Sequence, residues 1–133
     1  MRGTVTAARI VVRVTFLIQL VLGIALWTGR FDQVKPVHIA SGVLLILGLW
    51  VLAAVGARSG VPLGLVILAF AWGALTVVFG LTQEQIFPDT GHWIVQILHL
   101  LVGIGAVAQA EGMSRRIRQG WSAPAPAPAP AQP

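Results

Sequence analysis

Four apolar runs of about twenty residues each dominate the chain, and only short polar breaks separate them. A hydrocarbon layer about 30 Å thick is crossed by about 20 helical residues rising about 1.5 Å each, so each run has the length of a membrane span. No water reaches backbone polar groups in that layer, which leaves α-helices or closed barrels as the possible folds. The runs are too long for barrel strands and lack period-two alternation, so they read as helices. The predicted spans cover about residues 10–28, 36–56, 62–81 and 90–113. The expected fold is all-α: an up-down bundle of four transmembrane helices, with residues 1–118 as one domain and a possible tandem hairpin repeat within it. Only 10% of residues are charged, against roughly 25% in an ordinary soluble domain.

The breaks carry their own signals. Gly29-Arg30-Phe31-Asp32 ends the first run, and Lys35-Pro36 opens the second, with proline in a first turn where its missing N–H is harmless. Arg58-Ser59-Gly60 is the next break, and Pro62 opens the third run. Thr82-Gln83-Glu84-Gln85 and Pro88-Asp89-Thr90 form the loop before the fourth. Arg2, Arg9 and Arg13 before an apolar run would also suit a signal peptide, but no Ala-x-Ala site follows, and the segment is kept as a span. In an even-span protein Arg2, Arg9, Arg13, Arg58, Arg115, Arg116 and Arg118 fall on one side; Arg30 and Lys35 fall on the other with Asp32, Glu84 and Asp89. The positive-inside rule then puts both termini in the cytoplasm of a cell (inner) membrane protein. The net charge of +5 is thereby topological and calls for no nucleic acid. The expected partners are the lipid bilayer and either other membrane proteins or further copies of the chain. Residues 119–133, rich in alternating Ala and Pro, are expected to form a disordered, polyproline-like tail.

Polar side chains in hydrocarbon are costly and turn inward, so they mark the inner face of each span. On the fourth, His92, Gln96, His99 and Gly103 stand at i, i+4, i+7 and i+11. The second offers His38, Ser41, Gly42, Leu45 and Gly48; the third offers Ala69, Gly73, Thr76 and Gly80; the first offers Thr15, Gln19 and Gly23. Small residues at such spacing are also what membrane helices use simply to pack closely. The histidines are less ordinary. His38 and His99 share the pattern His-x-x-x-Gly, running to Gly42 and Gly103. A glycine one turn from an imidazole leaves room for the edge of a flat macrocycle, and neutral imidazole is a good axial ligand for haem iron. The second and fourth spans run in the same direction, and His38 falls between His92 and His99 in depth below the outer surface. His99 is preferred as its partner because of Gly103, with His92 as the alternative ligand or as a propionate or quinone contact. Arg30 and Lys35, close above His38, are candidate partners for haem propionates.

The chain also reads as a doubled hairpin. Leu22-Gly23 through Trp27-Thr28-Gly29, a loop and His38-x-x-x-Gly42 are echoed by Trp72-Gly73 through Phe79-Gly80, a longer loop and His99-x-x-x-Gly103. With Gln19-Leu20-Val21-Leu22-Gly23 and Val37-His38-Ile39-Ala40, residues of about 16–110 resemble one four-helix half of the haem A synthase family. That resemblance implies bis-histidine b-type haem held by His38 and His99. The acidic residue on which the family's oxidising chemistry depends has no counterpart, so haem hydroxylation is not carried over.

The sequence thus leads to a membrane b-type haem protein serving one-electron transfer or haem holding. Two other readings stand beside it: a cofactor-free accessory subunit of a larger respiratory or photosynthetic complex, and a quinone-binding subunit using His92, Gln96 and His99. No cysteine is present, so thiolate ligation is excluded. No phosphate-binding loop, His-Glu-x-x-His or Gly-x-Ser-x-Gly motif occurs, and the chain is not expected to be an enzyme on its own.

Overall fold

The protein is described from a computed structural model, which covers residues 1–29, 31–88 and 90–122. Four helices follow in order: α1 (Arg2–Trp27), α2 (Lys35–Arg58), α3 (Leu63–Thr82) and α4 (His92–Ser122), with short 3-10 turns at Asp32–Val34 and Gln83–Gln85. Each of the four is long and apolar enough to cross a membrane, and there is no strand among the described residues.

Two helices outrun their predicted bounds. α1 starts at Arg2 rather than near residue 10, because arginine is a good helix former and Arg9 and Arg13 both find a carboxylate on α4. α4 runs to Ser122 rather than ending near residue 113, and so takes in 119–122, which the sequence reading gave to the tail. Its last turns are amphipathic: Met113, Ser114 and Ile117 are buried while Arg115, Arg116 and Arg118 are exposed. The alternating Ala/Pro segment itself, 123–133, lies outside the described residues.

The breaks act as their residues require. Ser59 caps α2, Gly60 takes the left-handed conformation with φ +77, and the Val61 N–H donates back to the Gly56 carbonyl at 3.0 Å. This is a Schellman turn, which a side chain at position 60 would strain. Pro62 then precedes the first turn of α3. Gly29, with φ +66, follows the cap of α1 in the same way.

α2 and α4 lie at the centre of the bundle, each packed on all the others, while α1 and α3 flank them without meeting among the described residues. The beginning of α1, the α2–α3 turn and the end of α4 share one end: Arg2 stacks over the Trp121 ring at 5.5 Å, and Gly120 lies beside the Ser59 carbonyl. We call this the terminal end and the opposite one the loop end. The close-packed core belongs mainly to the terminal half. It comprises Val5, Ala8 and Val12 of α1, Leu45 to Val55 of α2, Val66 and Ala69 of α3, and Ala106 to Ile117 of α4.

Each pair of consecutive helices is pinned by one device. A side-chain N–H crosses to the next helix, lies over a glycine there, and donates to a backbone carbonyl one turn before it. Gln19 Nε2 lies over Gly42 and donates to the His38 carbonyl at 2.7 Å. Trp50 Nε1 lies over Gly73 and donates to the Phe70 carbonyl at 3.3 Å; Trp72 lies over Gly105, and its Nε1 donates to the Val102 carbonyl at 2.9 Å. A Cβ at any of these glycines would meet the incoming side chain, so the small residue is what permits the close approach.

Candidate site between the two central histidines

His38 sits in the first turn of α2 and His99 two turns into α4, both at the loop end and both on the central helices. Their rings face each other across the bundle with centroids 6.3 Å apart and planes inclined at 50°. The Phe79 ring meets His99 edge-on at 5.8 Å. His38 and His99 are half-buried, and along α2 no residue before Leu45 is fully buried. The histidines therefore occupy the looser half of the bundle, above the core.

A glycine from the preceding helix supports each imidazole. A Cβ at Gly23 of α1 would lie 3.6 Å from His38 Cε1, and one at Gly80 of α3 would lie 3.0 Å from His99 Cε1. The two hairpins repeat this contact, Gly23 with His38 and Gly80 with His99. Three buried polar atoms in this half have no hydrogen-bond partner: His38 Nδ1, His99 Nδ1 and Gln19 Oε1. An orphaned buried polar atom costs roughly 1–3 kcal/mol, so the pocket is short of partners for the groups it has buried. The His38 carbonyl, by contrast, accepts from both Gln19 Nε2 at 2.7 Å and Ser41 Oγ at 3.1 Å.

The room at Gly42 is taken by the Gln19 amide rather than left for a macrocycle edge, because Gln19 needs that space to reach the His38 carbonyl. Gly103 has no atom within 4 Å of a Cβ added there, so its space is open, though it is Gly80 that touches His99. His92 lies at the start of α4, where its Nδ1 is 3.3 Å from the Ile86 carbonyl; the ring facing His38 is His99. Gln96 is half-buried one turn before His99. The Lys35 Nζ pairs with Glu84 at 2.6 Å, tying the two loops of the loop end together. Arg30 lies outside the described residues.

One polar cluster escaped the sequence reading, which placed the acidic residues in loops. Glu111 lies within the fourth apolar run and bridges α4 to α1. Its Oε2 accepts from Arg9 at 2.9 Å and its Oε1 from Arg13 at 2.5 Å. The signal was present: an acid inside an apolar run, and two arginines spaced i, i+4 near the start of another.

Searches against protein-family models, curated proteins and solved structures found no match to this chain.

Proposed function

We propose that the protein is a membrane-embedded b-type haem protein in which His38 and His99 would hold the haem iron, serving one-electron transfer or haem holding. The observation that carries this reading is the 6.3 Å separation of the two ring centres. Two imidazoles this close, each with a buried Nδ1 that has no hydrogen-bond partner, offer a pair of nitrogen donors on the two central helices. Ligand count supports the same class. Among the described residues no three His, Cys, Asp or Glu side chains come together to hold a metal ion, so a bare ion would lack ligands, whereas haem brings its own equatorial nitrogens. The orphaned imidazole nitrogens and the two cradling glycines fit a group bound between the rings.

In this reading His38 and His99 fix the ligand field, while the apolar helices around them supply a low dielectric. Bound haem supplies reversible one-electron exchange at its iron. Gln19 positions His38 by holding its backbone carbonyl. A propionate contact by Lys35 would share its ammonium group with Glu84. The arginine distribution supports an orientation with the terminal end in the cytoplasm and the histidines toward the outer leaflet.

The test is a reduced-minus-oxidised visible spectrum of the detergent-purified chain, with a pyridine haemochrome assay for stoichiometry. Sharp b-type bands at about one haem per chain are expected for a single bis-histidine site. A sample that stays colourless after haem supplementation would overturn the proposal and leave the accessory-subunit and quinone-binding readings. Glycine variants refine the test. Gly80→Leu drives a side chain against His99 and is expected to lower haem occupancy strongly; Gly103→Ala, in open space, is expected to leave it unchanged.

A further inference from the structure

We propose that the groove between α1 and α4 at the terminal end binds the phosphate headgroup of an anionic glycerophospholipid, whose acyl chain lies along the exposed face of α1. The groove is lined by Thr6, Arg9 and Arg13 of α1 and by Ser114 and Arg118 of α4. Arg9 and Arg13 share the single carboxylate of Glu111, which leaves a positive charge over, and Arg118 adds another. Each guanidinium has more N–H donors than one carboxylate oxygen can take, and a phosphate accepts in the same forked geometry.

A second observation points to the same ligand. Ser114 is fully buried at 0% exposure, yet its Oγ has no hydrogen-bond partner. A hydroxyl in the wall of a cationic groove lacks an acceptor, and a phosphate oxygen is the acceptor that the surrounding charge would attract. Thr6 is already engaged, its Oγ1 donating to the Arg2 carbonyl at 3.1 Å.

The source of the phosphate follows from what lies above the groove. Ile10, Val14, Leu17, Val21 and Ile24 are all exposed and recur at three- and four-residue spacing along one face of α1. That row extends about 21 Å at about 1.5 Å per residue, more than the half-thickness of about 15 Å that one leaflet supplies. A free phosphate ion has no use for such a row; a lipid seated by its headgroup would cover it with an acyl chain. The bound lipid would bridge the first and last helices beside Glu111. The proposal rests on the bundle lying in a bilayer and is independent of haem at His38 and His99.

The full chain in neutral detergent is titrated with phosphatidylglycerol, with phosphatidylcholine and with inorganic phosphate, reading lipid occupancy by native mass spectrometry and the thermal midpoint. Phosphatidylglycerol is expected to bind at least about tenfold tighter than phosphatidylcholine and to raise the midpoint, with inorganic phosphate failing to do so. Arg118→Gln is expected to weaken phosphatidylglycerol about fivefold, the effect of one arginine at an anionic surface, and Ser114→Ala to weaken it further. Arg118 is outside the Glu111 cluster and exposed, so the lipid-free midpoint of Arg118→Gln should hold. Equal affinity for the two lipids, or unchanged phosphatidylglycerol affinity in Arg118→Gln, would overturn the proposal. An equal midpoint shift with inorganic phosphate would also overturn it, as a site for free anion only. Arg118 is exposed, so its variant keeps the test decisive if Ser114→Ala fails to fold.

Discussion

On the proposed haem reading, His38→Ala and His99→Ala are each expected to abolish a low-spin b-type spectrum while leaving a folded bundle. Each removes one of two rings that face each other at 6.3 Å, and no third His, Cys, Asp or Glu cluster stands ready to replace it among the described residues. The bundle should survive because its close-packed residues lie toward the other end, from Leu45 downward on α2 and around Ala106 to Ile117 on α4. Haem should be lost or left five-coordinate and high-spin. His92→Ala serves as the control, since that ring sits by the Ile86 carbonyl at the helix start; its spectrum should match the unsubstituted protein. Low-spin bands retained in both His38→Ala and His99→Ala would rule the pair out as axial ligands. Bands lost only with His92→Ala would move the ligand to the surface of the loop end.

The second large effect is on assembly. Glu111→Lys should prevent the first and last helices from closing, and the purified protein should melt on the order of 10 °C lower or fail to accumulate. Glu111 is the one carboxylate that Arg9 and Arg13 share, at 2.9 and 2.5 Å. Reversing it turns two attractions into two repulsions across a partly buried helix interface, where charges interact more strongly than in bulk water. Glu111→Gln keeps the shape and an acceptor oxygen, so a smaller loss is expected. The decisive measurement is a rescue: Arg9→Glu added to Glu111→Lys should recover part of the lost thermal midpoint, because it restores one opposite-charge pair across the same interface. A double variant no more stable than Glu111→Lys alone would show that the cluster does not hold α1 to α4.

Helix number and break points were legible because they depend on local chemistry. A run of about twenty apolar residues has few alternatives to a helix, and Ser59-Gly60 followed by Pro62 can hardly do other than stop one helix and start another. Helix ends were less legible. Arginine marks the edge of hydrocarbon but not the end of a helix, so α1 and α4 continue through Arg9, Arg13 and Arg115 to Arg118. His38 and His99 do lie together, with ring centres 6.3 Å apart, but not for the reason the spacing suggested. Gly42 and Gly103 argued for the pair through spacing on their own helices, whereas the contacts come from Gly23 and Gly80 on the neighbouring ones. Spacing along one helix shows which residues share a face; it does not show which residue of another helix fills the space. Glu111 was hidden for the same reason, since its meaning lies in two arginines about a hundred positions away.

The pins that join each helix to its successor also prescribe an order of construction. Gln19 finds the His38 carbonyl, Trp50 that of Phe70 and Trp72 that of Val102, so each bond can form as soon as the next helix has entered the bilayer. These contacts use uncharged groups and span short stretches of chain, which suits assembly by successive addition during synthesis. The contact between α1 and α4 is of another kind: it is ionic, and its carboxylate is made about a hundred residues after its two arginines. Until Glu111 has been added, Arg9 and Arg13 are without the acid that pairs with them, so the first helix can be tied to the fourth only after the three uncharged pins are in place.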